Sequence, residues 1–291
     1  MKLDEIYSQK NMAGTQVYKW VQPKISFEIF PPKNDVEELF SELEILIKLN
    51  PEFISLTYGA TGGCCDDFYL LKRLKLEFDF DIMPHLTCIC NTKSAVLEHL
   101  KLFKSLNIDK ILALRGDIPK DKEIMHEFMY ANELVGFVRT NSDLSIAVAG
   151  YPEAHIECGD LYQDIENLKK KVDAGASAIF TQLFFDNDKY FSFVQLVRDA
   201  GINVPIIAGV MPILNEKQVF KMTNLANISV PKTLMKRIEK FRDSPSDMQK
   251  FGVEFASYQV QQLIDAEISG LHFYTLNKAK STCEILENIG G

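Results

Sequence analysis

The feature that most constrains the fold of this chain is a unit that recurs eight times: a short apolar run, a turn and a helical pattern. Successive runs begin 27 to 35 residues apart, except the last, which begins 65 residues after the seventh. The runs are Lys24–Pro31, Phe53–Gly59, Ile82–Cys88, Lys110–Gly116, Ser145–Pro152, Ala178–Phe185, Pro205–Pro212 and Gly270–Asn277. Since one strand–helix unit takes roughly 30 residues, the pattern predicts an α/β protein of the (β/α)8, or TIM barrel, class.

The segments between the runs support helices. Val36–Leu49 and Leu161–Ala174 carry apolar residues at helical spacing, and Gly175 suits the end of the second helix. A doubly wound sheet is the alternative, but the GxGxxG motif typical of that fold does not follow the first strand.

The long last interval predicts extra helices before the eighth strand. Residues 213–269 fill it, and the helical stretches within it are Lys232–Phe241, with Pro231 at its start, and Met248–Glu267. We expect residues 1–291 to form a single catalytic domain, with residues 1–22 as an N-terminal extension or helix.

Composition narrows the class of protein. Hydrophobic residues make up 46% of the 291 residues, as in a packed globular chain, and the net charge of −8 disfavours nucleic acid as a partner. We expect no membrane association, because no apolar run reaches the ~18 residues of a membrane span and the N-terminus lacks the apolar core of a signal peptide. Six cysteines in a chain of this length favour a reducing, cytoplasmic location.

Glu28 is the strongest catalytic candidate. Alternation along the first strand puts Ser26 and Glu28 on one face and Phe27 on the other. A carboxyl inside an apolar strand either belongs to a structural ion pair or has its pKa raised by burial, so that it can donate a proton near neutral pH. Its place near the end of the strand, where barrel enzymes keep their reactive groups, favours the second interpretation.

Other strands also end in polar residues, which together predict a broad hydrogen-bonding pocket. Each has a structural alternative: His85 as a satisfied core residue, and Arg115 with Asp117 as a simple salt bridge. The lysines at 169–171 are either a solvated turn or cations that hold a phosphate-bearing cofactor.

Metal and hydrolase chemistry are disfavoured. The cysteine spacings are not the CxxC of structural zinc, and neither HExxH nor GxSxG is present, so we expect no metal and no Ser-His-Asp site.

Seven motifs at the strand ends, in order along residues 24–285, resemble the methylenetetrahydrofolate reductase family. They are SFEIFPP (26–32), TYGA (57–60), HLTC (85–88), ALRGD (113–117), YPEAH (151–155), TQLFFD (181–186) and HFYTLN (272–277). The resemblance implies a barrel with FAD that takes hydride from NADH or NADPH, NADH being expected, in a ping-pong reaction. The flavin then reduces 5,10-methylenetetrahydrofolate to 5-methyltetrahydrofolate, which supplies methyl groups for methionine synthesis. It also implies a homo-oligomer.

The same resemblance assigns roles to residues. Glu28 would be the general acid that protonates N10 of the folate, and Asp117 would lie between flavin and folate. The flavin contacts would be Thr57, His85, Leu114, Arg115, Gly116, Asp117, Tyr130, Ala131, Tyr151, His155, Asp164, Asn167, Lys170 and Lys171. The folate contacts would be Gln182, Gln218, Tyr274 and Lys278. At Lys278 the family often has arginine; lysine keeps the charge but lacks the two-pronged donor.

Two other functions stay open on residues alone. A Schiff-base lyase would need a lysine at a strand end, and none of the eight runs ends in one. A non-catalytic flavin or folate binder would not need both Glu28 and Asp117, which this chain has.

Overall fold

The eight predicted strands close into a parallel barrel in the order β1 to β8, with β8 beside β1. The computed structural model describes residues 1–7, 23–32, 35–57, 68–89, 91–117 and 127–290. The predicted (β/α)8 class is confirmed, and closure of the sheet excludes the doubly wound alternative. The end of the second predicted strand, from Tyr58 on, lies outside the described residues.

Strands and helices alternate along the chain. The strands are β1 Lys24–Ile29, β2 Ile54–Leu56, β3 Ile82–Thr87, β4 Lys110–Leu114, β5 Ser145–Gly150, β6 Ala178–Thr181, β7 Ile206–Val210 and β8 Gly270–Tyr274. The helices are α1 Leu3–Tyr7, α2 Val36–Ile47, α3 Tyr69–Glu77, α4 Lys93–Ser105, α5 Ala131–Asn141, α6 Leu161–Asp173, α7 Asn187–Asp199, α8 Glu216–Ala226, α9 Lys232–Phe241, α10 Pro245–Asp265 and α11 Lys280–Gly290.

Local chemistry sets where the helices begin and end. Asp35 and Asp160 precede α2 and α6, and each side chain accepts a backbone N–H of the first turn. Gly175 follows α6 with a φ of +122°, the C-terminal position predicted for it.

Alternation along the strands separates two cores. On β1, Phe27 and Ile29 face outward into the apolar layer beneath the helices, whereas Ser26 and Glu28 face the barrel interior. A smaller apolar cluster fills the amino-terminal end of the barrel, and α1 closes that end with Leu3, Ile6 and Tyr7.

The interval before β8 contains α8, α9 and α10. The predicted helix Lys232–Phe241 is α9, and the other extra helix begins at Pro245 rather than Met248, because proline suits the first turn of a helix. Their apolar faces pack with Leu183, Met211 and Ile213, which follow β6 and β7. Among the described helices, none combines the length and apolar character needed to cross a bilayer.

Candidate active site

A cavity of about 660 Å³ opens where β4 and β5 end. Ten of the predicted flavin contacts line it: Leu114, Arg115, Tyr130, Ala131, Tyr151, His155, Asp164, Asn167, Lys170 and Lys171. They come from two strand ends and from helices α5 and α6, so the barrel brings together residues that lie far apart in the sequence. Asn132, Glu157 and Cys158 also line the cavity and were not predicted.

Arg115 is bound to Glu157 inside this cavity. Its two terminal nitrogens lie 2.5 and 2.7 Å from the two carboxylate oxygens, a bidentate pair. The hydrogen bonds and the charge of each partner raise the pKa of Arg115 and lower that of Glu157. The sequence alternative, a salt bridge from Arg115 to Asp117, is therefore wrong, because the loop after β5 brings Glu157 to the guanidinium.

The three lysines at 169–171 lie in two different environments. Lys169 Nζ donates to the carbonyl of Ala200, at the end of α7, at 2.7 Å. Lys171 Nζ donates to the carbonyl of Ala149 at 3.0 Å and lies 5.8 Å from the Tyr151 ring centroid. Burial lowers the pKa of Lys171, and Asp164 opposes that shift. Lys170 and Lys171 are thus the members of the run that face the cavity.

The loop after β5 is folded onto α6. The backbone N–H of His155 donates to Asp164 Oδ2 at 3.1 Å, and burial raises the pKa of Asp164. Ala154 adopts a φ of +67°, a left-handed conformation that non-glycine residues rarely take and that is often found at functional sites. His155 Nδ1 accepts from the backbone of Glu157 at 3.2 Å, so the neutral ring carries its proton on Nε2.

The amino terminus of α5 supplies a further feature that suits anions. Tyr130, Ala131 and Asn132 line the cavity at the start of this 11-residue helix, where the backbone N–H groups and the helix dipole favour negative charge. Glu133 accepts the N–H of Met129 at 2.7 Å and so caps part of that terminus.

Glu28 forms a second, more buried centre. Register places Ser26 beside His272 and Glu28 beside Tyr274 on the neighbouring strands. Nε2 of His85 and Nε2 of His272 lie 3.4 and 3.7 Å from the same oxygen, Glu28 Oε2. Only 20% of the Glu28 side chain is exposed, against 4% for His85 and 1% for His272.

The charge state of Glu28 differs from the sequence expectation. Burial raises the pKa of the carboxyl, but the adjacent His272 and His85 lower it by more, and the resulting pKa is about 2. The predicted raised pKa is therefore wrong, because the pattern of β1 alone does not reveal two imidazoles contributed by β3 and β8. Burial lowers the pKa of His272, so its ring is neutral near pH 7.

Two residues predicted to contact the flavin have buried polar atoms without a hydrogen-bond partner among the described residues. Thr57 Oγ1 and both ring nitrogens of His85 are buried without a hydrogen-bond partner in the described part of the chain. An unsatisfied buried polar atom costs about 1–3 kcal/mol, so this position suits a ligand with polar ring atoms. His85 Nε2 also lies 3.4 Å from Glu28 Oε2, so this imidazole belongs to the Glu28 centre.

Gly116 and Asp117 follow β4 and the cavity-lining Arg115. Gly116 has a φ of +84°, and a Cβ there would lie 3.1 Å from Thr87 Cβ, so glycine allows the close approach to β3. Asp117 is exposed, and its charge contributes, after burial and Asp164, to raising the pKa of Tyr151 to about 12.

The predicted folate contacts lie outside the lining of the cavity: Gln182 just after β6, Gln218 in the first turn of α8, and Tyr274 and Lys278 at and just after the end of β8. Gln182 Oε1 accepts the next backbone N–H at 2.9 Å, and the Gln218 amide bridges Leu214 N and Pro212 O at 2.9 and 3.1 Å. The structure thus engages both amides in local loop contacts.

Tyr274 and Lys278 also have partners within the chain. Tyr274 Oη donates to the carbonyl of Thr181 at 2.7 Å across the top of β7. Lys278 Nζ lies 2.5 Å from Glu38 and 3.3 Å from Glu42, both on α2.

His272 and Glu157 are the consequential residues that sequence reasoning missed. A polar residue at the inward-facing position of an apolar strand was the available signal for His272; Glu157 lies in a loop with no pattern. Within the described residues, no group of three or more His, Cys, Asp or Glu side chains is arranged to hold a metal ion.

Solved structures share the fold at low sequence identity. A Clostridium thermocellum protein, described as uncharacterized and binding two copies of 5-methyl-5,6,7,8-tetrahydrofolic acid, has a TM-score of 0.59 at 14% identity, covering 92% of this chain and 94% of its own. A Coxiella burnetii dihydropteroate synthase in complex with pteroic acid has a TM-score of 0.52 at 11% identity, covering 91% of each chain.

Sequence relatives are more specific. The Arabidopsis thaliana methylenetetrahydrofolate reductase (NADH) 1 is 39% identical over 92% of this chain, which spans 48% of that protein. The 5,10-methylenetetrahydrofolate reductase of Pectobacterium carotovorum is 36% identical over 91% of this chain and 90% of its own length, and that of Escherichia coli K12 is 35% identical over 92% and 91%. The family model for methylenetetrahydrofolate reductase matches residues 15–290. Motifs, barrel and relatives agree, and the chain belongs to the methylenetetrahydrofolate reductase family.

Proposed function

We propose that this chain reduces 5,10-methylenetetrahydrofolate to 5-methyltetrahydrofolate, with FAD as cofactor and NADH as donor in a ping-pong cycle. The observation that carries the proposal is the 36% identity to the Pectobacterium enzyme over nearly the whole of both chains. The NADH in the name of the Arabidopsis relative supports the choice of donor. The product would supply methyl groups for methionine synthesis.

The residues around the cavity fit FAD. Its volume of about 660 Å³ lies within the usual range for ligand pockets, about 300–1,000 Å³. Lys170, Lys171 and the start of α5 would hold the pyrophosphate, since they combine cations with the positive end of a helix dipole. The unsatisfied atoms of Thr57 and His85 would bond the polar edge of the flavin ring. When bound, FAD supplies the relay of hydride from the nicotinamide to the folate.

Arg115 would join this set only after parting from Glu157. The pair is 22% exposed on the arginine side and 52% on the glutamate side, so water competes for both partners. A pyrophosphate or flavin carbonyl that bonds the guanidinium would replace one carboxylate contact with another charge-assisted contact.

Glu28 would act as the general acid at N10 of the folate. Beside the two imidazoles the carboxyl is ionised, because its pKa is about 2. A substrate that covers the exposed fifth of the side chain removes its remaining water, and this desolvation raises the pKa toward the protonated form. Protonation of N10 then opens the five-membered ring and leaves the cationic iminium that accepts hydride.

Asp117 and the outer residues would position the folate. The exposed Asp117 carboxylate, at the end of β4, would stabilise the positive iminium. Gln182 and Gln218, together with Tyr274, would bond the pterin by exchanging their loop contacts for ligand contacts. Lys278 would bind the glutamate tail in competition with Glu38 and Glu42.

The test is anaerobic reduction of the purified protein after incubation with FAD. We expect a yellow protein that NADH bleaches faster than NADPH does, and that 5,10-methylenetetrahydrofolate turns yellow again with release of 5-methyltetrahydrofolate, identified by chromatography. Tetrahydrofolate, which lacks the methylene bridge, is the matched control and should leave the protein bleached. A protein that takes up no FAD, or a bleached protein that the substrate does not reoxidise, contradicts the proposal.

We also propose a cytoplasmic homo-oligomer. Family membership supports it, and light scattering after size exclusion measures the mass directly. A mass of one chain at micromolar concentration would contradict the oligomer.

A further inference from the structure

A chain of buried polar groups runs beneath Glu28 toward the closed end of the barrel. Tyr7 Oη lies 3.3 Å from Ser26 Oγ, which lies 2.8 Å from His272 Nδ1. The other ring nitrogen, His272 Nε2, lies 3.7 Å from Glu28 Oε2. Tyr7, Ser26 and His272 are at most 3% exposed, so water does not substitute for any of these contacts.

The network selects one tautomer of His272. The 2.8 Å contact between Ser26 Oγ and His272 Nδ1 fits a hydrogen bond in either direction. The ionised Glu28 carboxylate near Nε2 only accepts, so it favours the proton on Nε2, and the Ser26 hydroxyl then donates to Nδ1. A neutral imidazole that accepts at Nδ1 carries its proton on Nε2. That proton faces Glu28 Oε2, where a bare nitrogen would face a carboxylate oxygen at 3.7 Å and be repelled.

We propose that His272 is a positioning residue for Glu28: Ser26 holds its Nδ1 as an acceptor, so that Nε2–H points at Oε2 and sets the pH range over which the carboxyl carries a proton. The proposal rests on the proposed function for its catalytic meaning. His272 Nε2 and Glu28 Oε2 are 3.7 Å apart, longer than a hydrogen bond, and catalytic hydrogen bonds commonly tighten in the complex with substrate.

The other polar groups around Glu28 and His272 cannot take over the positioning role of His272. Ser55 Oγ, on β2, lies 3.4 Å from His272 Nε2 and shares the same N–H. His85 approaches Glu28 from β3, with its Nε2 3.4 Å from the same Oε2, but none of the described residues bonds its Nδ1, so no hydroxyl holds its ring as Ser26 holds that of His272. Burial and the charge of Glu28 raise the pKa of Tyr274, which stays neutral.

The hydrogen-bond network from Tyr7 to His272 orients the imidazole and does not carry protons. Burial raises the pKa of Tyr7, so its phenol does not give up a proton to Ser26. A proton that left His272 Nε2 would therefore not be replaced from below, and the role of the network is to hold the ring.

The test compares three variants with the wild type. H272F removes both nitrogens but keeps a ring to pack edge-on against Phe180, whose centroid lies 5.1 Å away. H272Q keeps an amide donor at about the position of Nε2, and S26A removes the hydroxyl that selects the tautomer. Carboxyl ¹³C NMR of the apoprotein follows the Glu28 titration, with E28Q to assign its signal. Nitrogen-15 NMR reports the tautomer of His272, and stopped-flow measures the pH profile of substrate-driven flavin reoxidation.

We expect H272F to raise the Glu28 pKa by about one to two units, the effect of losing one hydrogen bond to a charged group, and to move the reoxidation profile in the same direction. H272Q should recover at least half of the shift, and S26A should give a smaller shift with a mixture of His272 tautomers.

An unchanged Glu28 titration in folded H272F, or a wild-type His272 protonated at Nδ1, overturns the inference. If H272F does not fold, the Glu28 titration of S26A and the His272 tautomer in the wild-type nitrogen-15 spectrum test the inference instead. Because the NMR readouts use apoprotein, they test the positioning role even if the protein fails to reduce the folate, and that failure would count against the proposed function alone.

Discussion

In the cavity beside β4 and β5, Arg115 pairs with a Glu157 side chain that is 52% exposed, whereas on β1 the Glu28 carboxyl meets two imidazoles that are 4% and 1% exposed. The first pair can exchange partners with water or an anionic ligand at little cost, because exposed ion pairs are worth about 0–1 kcal/mol. The second group cannot, because a buried charge without its partners is strongly destabilised. The cavity is therefore suited to binding and release, and the Glu28 centre to chemistry.

The largest effect that separates the two regions is expected from E28Q. Loss of a general acid lowers rates by about 10²- to 10⁴-fold, so flavin reoxidation by the folate should fall by that factor while reduction by NADH and FAD affinity are retained. Stopped-flow measurement of each half-reaction checks this, with E44Q on the exposed face of α2 as control. Equal loss in both half-reactions would remove Glu28 from the acid role.

The buried centre should also control acid stability. The folded pKa of Glu28 is about 2 and its ordinary value is 4.5, so folding favours the ionised form. Its stabilisation is present above about pH 4.5, is lost as the pH falls toward 2, and amounts to roughly 3 kcal/mol at most.

Urea unfolding of wild type and E28Q at about pH 5.5 and about pH 3 measures this contribution. The wild type should lose more stability on acidification than E28Q does, because all other carboxyls are common to both. Parallel loss in the two proteins would show that Glu28 is not held ionised by its imidazoles.

On the cavity side, K171M should weaken FAD binding by about 10- to 100-fold, the value of one charge-assisted hydrogen bond of about 1.5–3 kcal/mol. Calorimetry on the apoprotein gives the affinity. K169M is the matched control, since Lys169 belongs to the same run but bonds the carbonyl of Ala200. If K169M and K171M bind FAD equally well, Lys171 does not contact the cofactor.

The smallest effect is expected from E157Q, which releases Arg115 from its carboxylate. FAD affinity should rise about two- to five-fold, and less at high salt, because the pair is exposed and screened. Titration at two ionic strengths, with E166Q on the exposed side of α6 as control, is the measurement. Weaker binding by E157Q would mean that Glu157 helps to hold the site open rather than competing for Arg115.

Local patterns were sufficient for the scaffold. All eight strands were placed from apolar runs, and α9 was predicted at its observed bounds, because strand and helix periodicity and capping act over a few residues. The shared face of Ser26 and Glu28 on β1 followed from alternation alone.

The pairing of charges did not follow from sequence. The sequence suggested a salt bridge between Arg115 and its near neighbour Asp117. In the structure Arg115 instead binds Glu157, 42 residues further along the chain. The three lysines at 169–171 look alike in sequence, yet helix geometry turns Lys169 toward α7 and Lys171 toward the cavity.

By itself the sequence determined the eightfold strand–helix order, the family, and the placement of Glu28 on the same face of β1 as Ser26, since motifs and periodicity are properties of short segments. Only the tertiary structure decided the charge state of that carboxyl. Closure of the barrel sets β8 against β1 and brings His272 to Ser26 across 246 residues, with His85 arriving from β3. The pKa of Glu28 reflects the balance between burial and these two imidazoles, and that balance exists only once the strands are in register.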